Sequence, residues 1–194
     1  MRDEPTKQLL PRAQRRAQII EAAKRSFARN GFAATSMVDL ADESGVTKMI
    51  IYRHFATKAA LYRSVLDAIT EELNAAVVAA GPWPGSISAI VEFAHGDPDG
   101  YGLLFQHAAR EPEFQDYTDA TSAVTLATAR EELNTDLPDP LRREWAARLL
   151  PKLVNEVVLT WLESGQPGDV AATTEAVRTM TGAALRAIAG HGVD

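Results

Sequence analysis

The sequence predicts an all-α protein, and three observations support that fold class. Apolar residues recur at the helical spacing of three and four positions almost throughout, whereas the alternating β-branched residues typical of strands are scarce. Clusters of Gly and Pro divide these periodic stretches into segments of helical length. The composition, with 46% hydrophobic and 24% charged residues, is that of an ordinary globular protein with enough apolar material for a core.

Composition also excludes several classes of protein and site. The 194 residues include no Cys, which excludes disulfide scaffolds, thiolate zinc sites and cysteine nucleophiles. No stretch approaches the roughly 18 apolar residues that a membrane-spanning helix needs. The opening residues 1–5 lack the apolar region of a secretory signal. We therefore expect a soluble cytoplasmic protein with no membrane partner.

Helix start and stop signals define the first elements. A helix is predicted from Pro11 to Asn30, and Gly31 is a natural C-terminal cap for it. Ser36 and Asp39 form the Ser-x-x-Asp signature of a second helix start, and that short helix ends at Gly45.

The rest of the chain follows the same logic. Thr47 is placed to cap a third helix, and Thr57 begins a long fourth helix that reaches Ala80. Pro151 must lie in a first turn or at a kink. Breaks are predicted at residues 81–85, 96–100, 136–140 and 165–168, and further helices at about 86–94, 101–109, 114–133, 150–162 and 173–189.

The second and third predicted helices have the spacing of a helix-turn-helix. Ala41 is small where the two helices would crowd each other, and Gly45 can adopt the positive φ that the turn requires. Ile51 is apolar and can fill the angle between the helices. This spacing also arises in alanine-rich helices without that function.

Charge is distributed unevenly along the chain. Residues 1–63 carry twelve Lys or Arg against six Asp or Glu, a net +6, and residues 64–194 carry eight against twenty, a net −12. Lys48 and Lys58 fall in the first turns of predicted helices, where a cation opposes the helix dipole unless an anion binds there. The pattern indicates a basic, phosphate-binding head on an acidic body. A chance fluctuation of surface charge is the alternative.

The motifs of this head resemble the N-terminal domain of TetR-type transcriptional regulators. The resemblance runs over residues 12–72 and rests on residues 31–37, Leu40-Ala41, residues 45–48, residues 51–55 and residues 58–62. It implies an all-helical homodimer with a three-helix helix-turn-helix domain at 12–72 and a helical effector-binding and dimerisation domain at 73–194.

The resemblance also implies roles for single residues on operator DNA. Thr35 and Ser36 would start the second helix near a backbone phosphate, next to Met37, and Lys58 would meet a phosphate from the fourth helix. Many relatives carry Gly where this chain has Met49, so the bases that are read stay open. The residues that would line the recognition helix are Thr47, Lys48, Met49, Tyr52 and His54.

Aromatic residues gather in the middle of the chain, at about 83–145, and suggest an apolar pocket for a small-molecule effector. An ordinary core is the alternative for each of them. The acidic residues Glu111, Glu113, Asp116 and Asp119 favour a cationic or neutral ligand if they face the pocket. The predicted pocket residues are Phe93, Tyr101, Phe105, His107, Phe114, Trp145 and Trp161.

The last two helices carry apolar stripes, and the resemblance implies that they dimerise as a four-helix bundle. Small residues at 182–184 would allow the helices to approach closely. The alternative is that both stripes face the core of their own subunit. The predicted interface residues are Val157, Trp161, Val177, Met180, Ala184 and Ile188.

The resulting functional prediction is a DNA-binding transcriptional regulator, a repressor that a small-molecule effector releases. No cofactor or metal is predicted, because the His and acidic residues near 95–111 match no metal-ligand spacing. No catalytic motif such as Gly-x-Ser-x-Gly or His-Glu-x-x-His is present, so no enzymatic activity is predicted. The alternatives are a helical enzyme and a scaffolding dimer without DNA binding.

Overall fold

All regular secondary structure in residues 10–190, the part of the chain that the computed structural model describes, is helical. The expectation for residues 1–5 lies outside this range. The α-helices are α1 (Arg12–Ala34), α2 (Met37–Ser44), α3 (Lys48–His54), α4 (Lys58–Ala80), α5 (Gly85–Gly96), α6 (Pro98–Gly102), α7 (Gln115–Glu132), α8 (Pro140–Glu163) and α9 (Val170–Ala189).

The predicted caps at Ser36, Gly45 and Thr47 are confirmed, whereas α1 continues past the predicted stop at Gly31 and has Thr35 as its C-cap. Gly31 interrupts α1 with φ of 75° and ψ of 168°, so the helical path breaks there and resumes for a short final turn. The Ser36 side chain accepts from the backbone of Asp39, whose carboxylate accepts in return from the Ser36 N–H at 2.8 Å. This reciprocal pair satisfies N–H groups that the first turn of α2 would otherwise leave unpaired.

Helix α4 contributes residues to two compact units, which divide between Val65 and Leu66. In the first unit, Phe27, Phe32 and Tyr62 pack together, and the rings of Phe27 and Tyr62 meet edge to face with centroids 4.8 Å apart. Such buried aromatic pairs stabilise a core beyond their area alone. Helix α1 is thereby fixed against the N-terminal half of α4.

The break predicted at 96–100 is shorter than expected. Helix α5 ends at Gly96 and α6 begins at Pro98, so only Asp97 separates them. The Asp97 carboxylate accepts from the Gly100 N–H at 3.0 Å, and Pro98 occupies a first turn that needs no N–H from it. The chain then continues as a π-helix (Leu103–His107) and two short 3₁₀ turns (Ala108–Arg110 and Pro112–Phe114) instead of the regular helix predicted at 101–109.

The second unit contains two apolar clusters that α8 and α9 share. One contains Tyr101, Trp161 and Val177, and the other contains Leu150 and Ile188. Pro151 lies in the middle of α8, which excludes the first of its two predicted positions, a first turn or a kink. Asp139 caps the start of α8 through the N–H groups of residues 141 and 142, which begins the helix ten residues earlier than its apolar stripe indicates.

Within the described residues, no helix is both long and apolar enough to cross a membrane.

Candidate nucleic-acid interface

Helix α3 presents one polar face to solvent and one apolar residue to the core. Ile51 is fully buried, whereas Met49 and Tyr52 are 67% and 48% exposed. Thr47 caps the helix by accepting from the Ile50 N–H at 3.4 Å, and the Lys48 ammonium lies 5.8 Å from the centre of the Tyr52 ring. The structure therefore brings Thr47, Lys48, Met49 and Tyr52 together on an accessible surface.

The turn between α2 and α3 holds this surface in place. Gly45 has φ of 64°, a left-handed conformation that residues with a Cβ adopt at a cost. The Val46 N–H donates to the Ala41 carbonyl at 3.1 Å, which closes the end of α2. The small side chain of Ala41 is buried, as the spacing of the helix-turn-helix requires.

Three predicted DNA-binding residues have structural roles at the start of α2. Thr35 is 1% exposed, and its hydroxyl donates to the Gly31 carbonyl at 2.8 Å. Met37 is buried in the core. Ser36 is exposed, but its side-chain oxygen already accepts from two N–H groups of the helix.

Lys58 also differs from the sequence interpretation, which found no reason in folding stability for a lysine at that position. Its ammonium donates to the carbonyls of Phe32 at 2.7 Å and Thr35 at 2.9 Å, and it lies 4.3 Å from the centre of the Phe32 ring. These carbonyls belong to the end of α1 and the segment that leads into α2, where helical partners are missing. Lys58 therefore ties α4 to α1, which is a structural reason for its place in the first turn.

Some cations of the first unit pair with carboxylates and others do not. Arg25 and Arg29 both pair with Glu43, and Lys24 pairs with Glu21. Other cations form no ion pair within residues 10–190, namely Arg12, Arg15, Arg16, Lys48 and Arg53. No carboxylate in that part of the chain neutralises these five cations.

His54 links the start of α1 to the end of α3. Burial lowers the pKa of His54 below its usual value, and the charges of Arg12, Arg16 and Arg15 lower it further. The imidazole is therefore neutral at pH 7. Sequence reasoning missed the three arginines as candidates, although a signal was available: they open a predicted helix without an acidic residue among them.

Comparison with known proteins assigns this unit. Residues 19–65 match the family described as bacterial regulatory proteins, tetR family. The chain carries the N-terminal domain of the TetR family. The chain is 33% identical over 106 residues to the transcriptional activator FasR of Mycolicibacterium smegmatis, an alignment that covers 50% of this chain and 48% of FasR. It is 50% identical over 56 residues to the regulator TtgR of Pseudomonas putida, covering 29% of this chain and 27% of TtgR. The chain thus spans about half, or less, of the length of these curated relatives.

Solved structures extend the likeness of fold beyond the TetR domain. A TetR-like regulator from Rhodococcus sp. RHA1 superposes with a TM-score of 0.79 at 19% identity, covering 94% of this chain and all of that one. FadR of Bacillus subtilis in complex with stearoyl-CoA superposes with a TM-score of 0.68 at 18% identity, covering 85% of this chain and 96% of FadR.

The second unit contains a cavity of about 470 Å³, lined by residues of the π-helix, α7 and α8. Of the predicted pocket residues, Phe105 lines it, and Tyr101 contacts Phe105 with ring centroids 4.6 Å apart. Phe93 lines a separate groove between α4 and α5. The others do not line either space: Phe114 and Trp161 are buried, His107 is half-buried, and Trp145 is 58% exposed.

The predicted interface residues on α8 and α9 also divide by burial. Trp161, Val177 and Ile188 are buried within the protomer, which is the arrangement that the core alternative describes. Val157 and Ala184 are half-buried, and Met180 is 41% exposed.

Proposed function

We propose that the chain is a sequence-specific DNA-binding transcriptional regulator that inserts α3 into the major groove. One observation carries this proposal: the exposed face of α3 stands beside cations that no carboxylate neutralises in residues 10–190. Lys48 and Arg53 lie on α3 itself, and Arg12 lies near His54 at its end. Duplex DNA supplies the phosphates that such cations lack.

Different side chains of the proposed interface would contact the phosphates and the bases. Arginine and lysine side chains position a protein on the phosphate backbone, whereas base edges are read inside the groove. Tyr52 and Met49 are the large exposed side chains of α3, and so we assign them to base edges or thymine methyl groups. Lys48, Arg53 and Arg12 are assigned to phosphates.

A homodimer is part of the proposal, because one head offers few base contacts and a two-fold axis doubles them. Support comes from apolar side chains that α8 exposes at intervals of four: Leu141 at 82%, Trp145 at 58% and Leu149 at 37%. Met180 adds an exposed apolar side chain on α9. We therefore place the interface on these residues, of which Met180 alone belongs to the set predicted from sequence.

The cavity of the second unit supports the remaining part of the proposal, a small-molecule effector that lowers DNA affinity and thereby relieves repression. Its volume of about 470 Å³ is within the range of small-molecule sites. Effector and DNA must weaken each other's binding by the same factor, since the coupling is reciprocal.

Because its partner is chromosomal DNA, the protein would work in the cytoplasm of a bacterium. No catalytic step is assigned to it.

The test is binding to a DNA fragment from upstream of the chain's own gene, measured by fluorescence anisotropy over a series of salt concentrations. Lys48→Ala should weaken binding and reduce the salt slope by about one unit, the effect of one lost phosphate contact. Arg29→Ala is the matched control, because that arginine already pairs with Glu43. Equal effects of the two substitutions would contradict the proposed interface.

The alternative functions predict an outcome that differs from that of a DNA-binding regulator. A scaffolding dimer would bind no DNA in the anisotropy assay at any salt concentration, although it would sediment as a dimer. A helical enzyme would likewise leave the DNA unbound.

A further inference from the structure

Two of the segments that line the cavity of the second unit depart from regular α-helix. Leu104 and Phe105 reach it from the π-helix, a form that appears frequently at functional sites. Pro151 and Ala147 reach it from α8, and Pro151 has no N–H to donate to the Ala147 carbonyl. Both irregularities therefore lie at the same cavity.

Helix α8 also supplies hydrogen-bond donors. The Tyr101 hydroxyl donates to the Asn155 Oδ1 atom at 2.9 Å, and burial raises the pKa of Tyr101, so the phenol stays protonated. Asn155 consequently directs its oxygen to Tyr101, and its amide N–H groups have no partner within the described residues. Lys152 lies one turn away on the same side of the helix and likewise forms no ion pair in that part of the chain.

Helix α7 lines the cavity with hydrogen-bond acceptors. The hydroxyls of Thr118, Thr121 and Thr125 each donate to a carbonyl of their own helix, at 3.0, 3.0 and 3.1 Å. A hydroxyl has one proton and two lone pairs, so these three can only accept from a ligand. The two sides of the cavity are chemically opposite: donors on α8 and acceptors on α7.

The charges at the cavity do not match the expectation of a cationic or neutral ligand. Of the four acidic residues on which that expectation rested, only Asp119 lines the cavity. Arg148 lines it as well and pairs with Glu144, whereas Lys152 is a lining cation that forms no ion pair within the described residues. Apolar contacts come from Leu104, Phe105 and Leu126.

We propose that this cavity binds an amphipathic carboxylic acid. Its carboxylate lies against the Lys152 ammonium and the Asn155 amide, and its apolar body packs on Leu104 and Phe105. A hydroxyl on the body would find acceptors in the α7 threonines. The identification of this acid as the effector rests on the proposed regulatory function, whereas its binding does not.

The test compares three probes with one apolar body: 4-phenylbutyrate, its amide, and 4-phenylbutylamine. Isothermal calorimetry on the full chain should show the acid binding more tightly than the amide, and the amine binding least. A charge-assisted hydrogen bond from Lys152 corresponds to a preference of about tenfold to a hundredfold for the acid. Equal affinities, preference for the amine, or no binding of the acid at millimolar concentration would each overturn the proposal.

Variants assign the effect to the cavity. Lys152→Gln should abolish the preference for the acid while leaving the affinity for the amide unchanged. The control Lys24→Gln removes a lysine of the first unit and should change neither the preference nor the affinity. Ser122 is an exposed α7 residue at the cavity. The substitution Ser122→Phe should fill the cavity and lower the affinity for all three probes. A preference for the acid that persists in Lys152→Gln would contradict the assigned contact.

Failure of this proposal is distinguishable from failure of the regulatory function. DNA binding of the wild-type chain and of Lys152→Gln is measured by anisotropy without any probe. If the chain binds DNA but does not prefer the acid, the proposed regulatory function is supported and the proposed ligand class is contradicted. If the chain prefers the acid but binds no DNA, the proposed ligand class is supported and the proposed regulatory function is contradicted.

Discussion

At the scale of single residues, Lys58 has the clearest competing roles. Replacing it by Met keeps the aliphatic stem and removes the bonds to the Phe32 and Thr35 carbonyls. We expect the free energy of unfolding to fall by about 1.5–3 kcal/mol, the range for a charged hydrogen bond, while the salt slope of DNA binding stays unchanged. Denaturant titration and anisotropy check the two parts. A smaller salt slope with unchanged stability would instead support the phosphate contact predicted from sequence.

His54 gives the first unit a pH dependence. Because burial lowers the pKa of His54, the folded state binds fewer protons than the unfolded chain near the ordinary histidine pKa of 6.5. Stability from this group is therefore complete above that value and is lost as pH falls towards the lower pKa of the folded state. His54→Gln should make the unfolding midpoint less sensitive between about pH 7.5 and about pH 5.5. An unchanged pH dependence in the variant would show that other groups cause it.

At the scale of elements, the turn between α2 and α3 depends on Gly45. Gly45→Ala places a Cβ in the left-handed region, where it meets no neighbouring atom but strains the backbone, and should cost about 1–2 kcal/mol of stability. Gly102→Ala is the matched control, since that glycine has an ordinary helical φ and open space for a Cβ. The control should be neutral or stabilising in thermal unfolding. Equal destabilisation by both substitutions would contradict the role of the positive φ.

Local signals in the sequence were sufficient for the helices of the first unit, because each cap depends on residues within four positions. Ser36, Gly45 and Thr47 are such cases, and the structure confirms them. Pro151 and the π-helix are different, since tertiary packing decides whether a helix continues through an unfavourable residue.

Burial explains why the candidate site residues were harder to predict. Thr35 and Lys58 are polar, yet both direct their side chains to carbonyls within the unit, and sequence alone does not distinguish that from exposure. Val177 and Ile188 lie on an apolar stripe that fits either a core or an interface, and the structure places them in the core. The gathering of aromatic residues at about 83–145 predicts a pocket position for Trp145, but that position in the sequence does not reveal that its side chain is 58% exposed.

At the scale of the whole molecule, the proposed dimer predicts the effect of a charge at Trp145. Its side chain is 58% exposed in the protomer, so Trp145→Glu should leave each protomer folded and give monomers in sedimentation. Val124→Glu is the control, because Val124 is 66% exposed on α7, outside the proposed interface. Its dimer should be unaffected. A Trp145→Glu dimer as stable as that of the wild type would place the interface elsewhere.

Whether α3 reads a specific DNA sequence is tested by a competition between two DNA fragments of equal length. One is the fragment from upstream of the chain's own gene, and the other has the same composition in shuffled order. We predict that the wild-type chain prefers the first fragment at physiological salt, and that Tyr52→Ala loses most of the preference while retaining binding to both. Equal affinity of the wild-type chain for the two fragments would contradict the account.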